Sequence, residues 1–427
     1  MKEIEKLVEK LCKNKFQKKQ FIPGKTEIPA SGKVIGTEEV KNMINASLDA
    51  WLTAGRFNSD FQTNLAKYLN VKHLLTVNSG SSANLIAFSS LTSHLHKERA
   101  IKPGDEIITV AAGFPTTVNP IFQNQAIPVF VDVKIPTYNV DENLIEDAVS
   151  KKTKGIILAH TLGNTFNVDR VLEICKKNNL WLIEDNCDAL GTKYKGKFSG
   201  TFGDVSTLSF YPAHHITMGE GGAVFTNNFR IKRIAESFRD WGRDCYCEPG
   251  KENTCKKRFE WQLGKLPYGY DHKYTYSHVG FNMKITDMQA ACGLAQLNKL
   301  DNFIKKRKIN FSFLKKNLEN LQENLILPKE ENGSEPSWFG FPITLSKSCK
   351  IKRKDIIAKL YEKKIGTRLL FSGNLTKQPA YINKNFKISG KLSNTDYIME
   401  NTFWIGVFPG LDEEELTYVV KIIKSCF

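Results

Sequence analysis

The stretch LSFYPAHHITMGEGGAVFTN, residues 208–227, joins two apolar, strand-like runs, VSTLSF (205–210) and GAVFTN (222–227), through a turn of small residues that carries two adjacent histidines. Toward the N-terminus the same kind of run recurs as HLLTVN (73–78), DEIITVA (105–111), IPVFVDV (127–133), GIILAH (155–160) and LWLIED (180–185). Between several of them lie helix-like stretches such as VDRVLEICKKN (168–178), apolar at three- and four-residue spacing. Strands alternating with helices in this way predict an α/β domain around a largely parallel sheet. In such sheets ligands gather at the carboxyl ends of the strands.

Toward the C-terminus, residues 285–321 read as one long helix bridging to a second unit. That unit has a strand at FGFPITL (339–345) and helices at KRKDIIAKLYEKK (352–364) and DEEELTYVVKIIK (412–424). The expected division is an N-terminal segment with the large domain over 1–310 and a small C-terminal domain over 311–427.

The 427 residues suffice for a large core, and no window approaches the roughly 20 apolar residues of a membrane helix. The N-terminus spreads its charges through an amphipathic pattern unlike a secretory signal, so the cytoplasm is the expected location. A formal net charge of +16 is compatible with nucleic acid, an anionic membrane or an anionic small substrate. Its lysines are scattered among glutamate and asparagine rather than blocked together. A basic, non-catalytic nucleic-acid-binding protein is therefore the remote alternative, and neither nucleic acid nor membrane is expected as a partner. Nine cysteines in such a chain point to buried thiols or a metal site rather than to disulfides.

NSGSSANLIAF (78–88) runs from a strand through small hydroxyl residues into an apolar helix, a natural cup for phosphate. With it, LSFYPAHHITMGEGGAVFTN resembles the segment of the sugar-nucleotide aminotransferases of the DegT/DnrJ/EryC1/StrS family that carries a serine, the cofactor-binding lysine five residues on, and a GEGG-like turn. The resemblance extends through GDEIITVAAGFPTTVNPIFQNQAIPVFVDV (104–133), GFNMKITDMQAACGLAQLNKLDNFIKKR (280–307) and VFPGLDEEEL (407–416). It implies the pyridoxal-phosphate-dependent fold type I, aspartate aminotransferase-like, with a mostly parallel central sheet and a smaller C-terminal α/β domain.

Residue by residue, it implies that Asp185 pairs with the cofactor's pyridine nitrogen and that Phe114 stacks on the ring. Ser81, Ser82 and Ser209 would hold the phosphate, and Asn282 would reach it from a second subunit of a homodimer. Asp188 stands where the family has glutamine or histidine and is carried over only as a neighbour of the ring. His214 occupies the lysine position. An imidazole cannot bind the aldehyde cofactor covalently, but it can accept a proton near neutral pH. The cofactor would then be pyridoxamine 5′-phosphate (PMP, the amine form of PLP), held without a covalent link, and His214 would be the catalytic base of a dehydration that removes a sugar C3 hydroxyl. His215 has no matching role.

This departure narrows the resemblance to 3-dehydratases of 4-keto-6-deoxy sugar nucleotides. One kind acts on GDP-4-keto-6-deoxymannose without further cofactors; the other acts on a CDP-linked sugar with a [2Fe–2S] cluster. Cys187, Cys245, Cys247 and Cys255 follow the spacing C-x57-C-x1-C-x7-C, which coincides with the cluster-bearing kind; soft thiolates suit iron–sulfur clusters or zinc. The expectation is therefore dehydration of CDP-4-keto-6-deoxy-D-glucose for 3,6-dideoxyhexose and lipopolysaccharide formation. The cluster would relay electrons from an NADH-dependent flavin and iron–sulfur reductase. Arg368 and Lys284 are candidates for diphosphate or sugar contacts. If the chain stays extended after Asp185, Cys187 faces the same way, roughly 6 to 7 Å along.

Overall fold

The computed structural model describes residues 2–18, 20–247 and 250–427. All seven expected strand runs lie in one eight-stranded sheet. Its order is His73–Val77, Gly222–Thr226, Val205–Ser209, Trp181–Asp185, Thr153–Ala159, Glu106–Val110, Ile127–Val131 and a two-residue edge strand, Lys387–Ile388. Gly222–Thr226 runs antiparallel to both its neighbours, and the other pairings are parallel.

The near-continuous apolar character of these strands has a direct cause: both sheet faces are covered. Ile108, Val129, Val131, Ile156, Leu158 and Leu182 enter one core with the helix Val168–Asn178. Their strand neighbours Ile107, Phe130, Ile157, Trp181 and Ile183 point the other way, into a core with the helix Gly80–Leu91. The helix Val168–Asn178 follows its periodicity, burying Val168, Val171 and Ile174; Asn167 caps its start and a left-handed Asn179 ends it.

The long bridging helix is two helices, Asp287–Leu297 and Leu300–Leu318. Asn298 and Lys299 drift toward ψ near zero between them. Gln296 and Lys299, on either side of the break, both donate to the buried carboxylate of Glu39, each at 2.5 Å from Oε1. Leu300, Phe303 and Ile304 of the second helix pack with the large sheet, whereas Phe311, Leu314 and Leu318 pack with the smaller one.

The smaller sheet is antiparallel, in the order Leu325–Ile326, Gly340–Leu345, Thr402–Gly406, Arg368–Leu369. The helices Arg353–Glu362 and Glu413–Lys424 contribute Ile356, Leu360, Leu416, Val419 and Ile423 to its core. Among the described residues no helix is long and apolar enough to cross a membrane.

Candidate active site

A cleft of about 1120 Å³ opens at the carboxyl ends of the central strands, with Phe339, Arg368, Phe371 and Trp404 of the C-terminal part on its far wall. That volume exceeds what a single small ligand usually needs, roughly 300–1,000 Å³.

Strand register builds the floor. Asp185 ends its strand paired with Ala159 on one side and Thr207 on the other. Its Oδ2 accepts from Asn84 Nδ2 at 2.8 Å and Thr117 Oγ1 at 2.6 Å, and its Oδ1 from the backbone N–H of Cys187 at 3.2 Å. Thr207 orients Asn84 by donating to its Oδ1 at 2.7 Å. Asp185 is 6 % exposed and among the described residues no lysine, arginine or histidine is paired with it, so the floor offers a held carboxylate to a cationic N–H.

Beside it stands the cup. The helix Gly80–Leu91 begins at Ser79, whose Oγ accepts from the backbone N–H of Ser82 at 3.1 Å. Its first turn leaves backbone N–H groups free for an anion. Close approach demands glycine here. A Cβ on Gly80 would lie 2.5 Å from Ser209 Cβ, and one on Gly222, in the turn opposite, 2.3 Å from the Ser79 carbonyl oxygen.

Of the residues singled out from sequence, Ser81, Phe114, Asp185, Cys187, Asp188, Ser209 and His214 all line this cleft. Ser82 does not; its hydroxyl accepts from Ser79 Oγ at 3.0 Å and its amide closes the cap. Asn282 lies outside the cleft of its own chain, exposed on a bridge to Asp240. Lys284 is also elsewhere, 3.2 Å from Asp240 and over the Trp241 ring. Arg368 lines the cleft and donates to its neighbour's carbonyl, Thr367 O. The sequence reading missed Ser79, Asn84 and Thr117; only Ser79, in the NSG turn, carried a local signal as a helix cap.

His214 stands across from Asp185 with its ring tilted on Phe339 at 5.1 Å and its Nδ1 3.5 Å from Asp188 Oδ1. Burial, then the Arg307 charge, push its pKa down to about 4 against the opposing pull of Asp185. Burial and the Asp185 carboxylate push Asp188 up to about 8. The two side chains therefore face one another uncharged near neutral pH rather than as an ion pair. His215 is buried and neutral, its Nε2 2.8 Å from Ser337 O.

A raised Asp188 has a measurable consequence. Stability that it contributes is complete below the unfolded carboxyl pKa near 3.9 and is lost as pH rises through about 8. The thermal midpoint of the ligand-free protein should therefore fall more between pH 5 and 8.5 than that of Asp188→Asn. Parallel pH profiles would show that Asp188 is ionised throughout.

The four thiols are not together. Cys245, Cys247 and Cys255 line a space of about 10 Å³ with Arg258 and His272, room for one water at most. Thr254 donates to Cys247 Sγ at 3.0 Å; burial opposes it, but these hydrogen bonds hold that thiol below its usual range, while burial holds Cys245 above. Cys187 lies in the large cleft, its thiol raised by burial and by Asp185. Cys187 does lie beside Asp185, but not by the extended path considered from sequence. The chain turns at once, the Cys187 amide folding back onto the Asp185 carboxylate. Among the described residues no group of three or more His, Cys, Asp or Glu side chains is placed to hold a metal ion. One chain's thiols thus do not form the four-ligand cage that the spacing led us to expect.

The chain is similar to "Lipopolysaccharide biosynthesis protein RfbH" of Salmonella typhimurium, 59% identical over 425 residues covering 100% of this chain and 97% of that one. It is 49% identical to the dTDP-4-dehydro-2,6-dideoxy-D-glucose 3-dehydratase of Saccharopolyspora spinosa, over 95% of this chain and 87% of that one. Among solved structures, a GDP-4-keto-6-deoxymannose-3-dehydratase with bound GDP-perosamine superposes with a TM-score of 0.84 at 27% identity, covering 93% of this chain and 100% of that one. A GDP-4-keto-6-deoxy-D-mannose-3-dehydratase from E. coli with bound hydrated PLP gives 0.83 at 27% identity, covering 93% and 99%. With the mostly parallel central sheet in place and residues 34–424 matched to its model, the chain belongs to the DegT/DnrJ/EryC1/StrS aminotransferase family.

Proposed function

We propose that the protein is a sugar-nucleotide 3-dehydratase of deoxysugar and lipopolysaccharide biosynthesis, working with PMP held without a covalent bond. The observation that carries this reading is His214: the position that in the aminotransferases bears the cofactor-linking lysine is a neutral imidazole lining the cleft across from the Asp185 floor. The relatives named as 3-dehydratases, at 49% and 29% identity, support it.

The cleft suits the cofactor on its own chemistry. When bound, PMP supplies an amine for the sugar's 4-keto group and a ring that takes up electron density. Asp185 would accept the ring N–H, with Asn84 and Thr117 fixing the carboxylate. Phe114 would stack on the ring, and Ser81, Ser209 and the helix N-terminus would supply donors for the phosphate without a flexible counter-charge. His214 offers an unprotonated nitrogen as acceptor for a carbon-bound proton. Protonated Asp188 withholds negative charge from that imidazole.

For the substrate we propose CDP-4-keto-6-deoxy-D-glucose, and for the chain a homodimer in which Asn282 serves the neighbouring cleft. The cysteine spacing and the meeting of three thiols in one loop support a [2Fe–2S] protein served by an NADH-dependent flavin and iron–sulfur reductase. Cys187 lines the large cleft and not the space that those three share. The same separation favours a second reading, a cluster-free dehydratase with idle thiols.

Anaerobic incubation with CDP-, dTDP- and GDP-linked 4-keto-6-deoxy sugars, followed by product analysis, tests the reaction; loss of the C3 hydroxyl from none of them would refute it. Iron and labile sulfide in anaerobically purified protein, removed by Cys245→Ser together with reductase-dependent turnover, are the expected results for the cluster. Unchanged turnover in Cys245→Ser would establish the cluster-free reading.

A further inference from the structure

Among the described residues Arg307 is the largest fully buried side chain, at 0 % exposure, and no described carboxylate forms an ion pair with it. It sits on the helix Leu300–Leu318, between the half packed on the large sheet and the half packed on the smaller one. Its Nη1 donates to the carbonyl oxygens of Trp338 at 3.2 Å and Phe339 at 3.1 Å. Its Nη2 donates to those of Ala213 at 3.4 Å and His214 at 3.2 Å, and its Nε has no hydrogen-bond partner among the described residues.

Stability alone does not account for such a group. Taking a charge out of water costs several kcal/mol, and a well-packed apolar residue of similar volume usually serves a core as well or better. What an apolar residue cannot do is tie two carbonyl pairs in one plane, for which the guanidinium fork is suited. One pair belongs to the irregular turn that carries His214. The other belongs to the segment that enters Gly340–Leu345 and carries Phe339, on whose ring the His214 imidazole leans. His215 adds a parallel stitch through its Nε2 to Ser337 O at 2.8 Å.

We propose that Arg307 is a positioning residue for His214: its guanidinium ties the His214 turn to the Trp338–Phe339 segment and so fixes where the imidazole stands in the cleft. The inference rests on the reading of His214 as the base. Arg307 touches neither the cleft floor nor the phosphate cup, so cofactor and substrate binding do not depend on it directly.

The test compares Arg307→Met, which comes close in volume and removes all four hydrogen bonds, with Arg307→Lys, which keeps the charge on a single point. Folding is followed by circular dichroism, pyridoxal phosphate binding by its visible absorption, and dehydration by kcat and KM separately. Arg307→Met should bind cofactor and show a KM within about threefold of the parent while kcat falls at least tenfold; Arg307→Lys should recover part of kcat. In a His214→Asn background, Arg307→Met should reduce the residual rate no further. A kcat within twofold of the parent would overturn the proposal. So would cofactor affinity, KM and kcat collapsing together, or failure of both variants to fold, since either makes Arg307 a core residue only. Undiminished turnover in His214→Asn alone would instead overturn the reading of the base and leave the clamp without its object.

Discussion

Replacing His214 by asparagine should lower C3 dehydration by at least 10² to 10⁴-fold, the range a positioned general base contributes, while pyridoxal phosphate binding stays within about threefold of the parent. The turn carrying residue 214 is held through its backbone: its N–H donates to Tyr211 O at 2.9 Å and its carbonyl accepts from Arg307 at 3.2 Å. Asparagine keeps both bonds and comes close to the imidazole in size. No neighbour is ready to take over. His215 is buried with its Nε2 engaged, and Asp188 is held protonated near neutral pH by burial and by Asp185. The measurement is single-turnover product formation beside a cofactor titration. Turnover equal to the parent would remove His214 from the role, whereas parallel loss of cofactor binding would make it a structural residue.

Much of this site was legible because its parts sit where local sequence changes character. Asp185 and Ser209 end apolar strands, Phe114 precedes a helix opened by proline, and His214 interrupts a motif whose spacing is otherwise kept. Asn84 and Thr117 were not legible. Each lies inside a helix, among residues that read as ordinary core, and acquires its role only when two helices converge on one carboxylate. Arg307 was hidden for a related reason, as one basic residue in the run KKRK whose neighbours face solvent.

The thiols show the opposite failure. Their spacing along the chain is a strong one-dimensional signal, yet Asp185 draws the next turn of backbone onto itself and leaves Cys187 in the cleft, apart from the loop that gathers Cys245, Cys247 and Cys255. The helix break at Asn298 is similar: apolar periodicity runs straight across it, while the residues flanking it are held by a tertiary carboxylate, Glu39, more than 250 residues away.

Asp185→Asn should weaken pyridoxal phosphate binding by roughly 10- to 150-fold, the equivalent of one hydrogen bond to a charged group at about 1.5–3 kcal/mol, and should lower turnover more than it lowers affinity. Among the described residues the groups that reach this carboxylate are donors: Asn84 Nδ2 and Thr117 Oγ1 at Oδ2, and the Cys187 amide at 3.2 Å with, more distantly, Thr207 Oγ1 at 3.4 Å at Oδ1. The two donors at Oδ2 oblige an amide to place its oxygen there. Its NH₂ group must then occupy the Oδ1 position, facing the Cys187 N–H donor to donor. An unpaired buried donor costs about 1–3 kcal/mol, so the ligand-free variant should also melt earlier. The same orientation denies a ring N–H its acceptor, so the bound ring loses the proton that makes it an electron sink, which is why turnover falls beyond the affinity loss. Titration with pyridoxal phosphate, followed by turnover at saturating cofactor, separates the two effects. Full activity restored merely by saturating the cofactor would mean that Asp185 anchors the ring without tuning it. Unchanged affinity would place the cofactor's nitrogen elsewhere in the cleft.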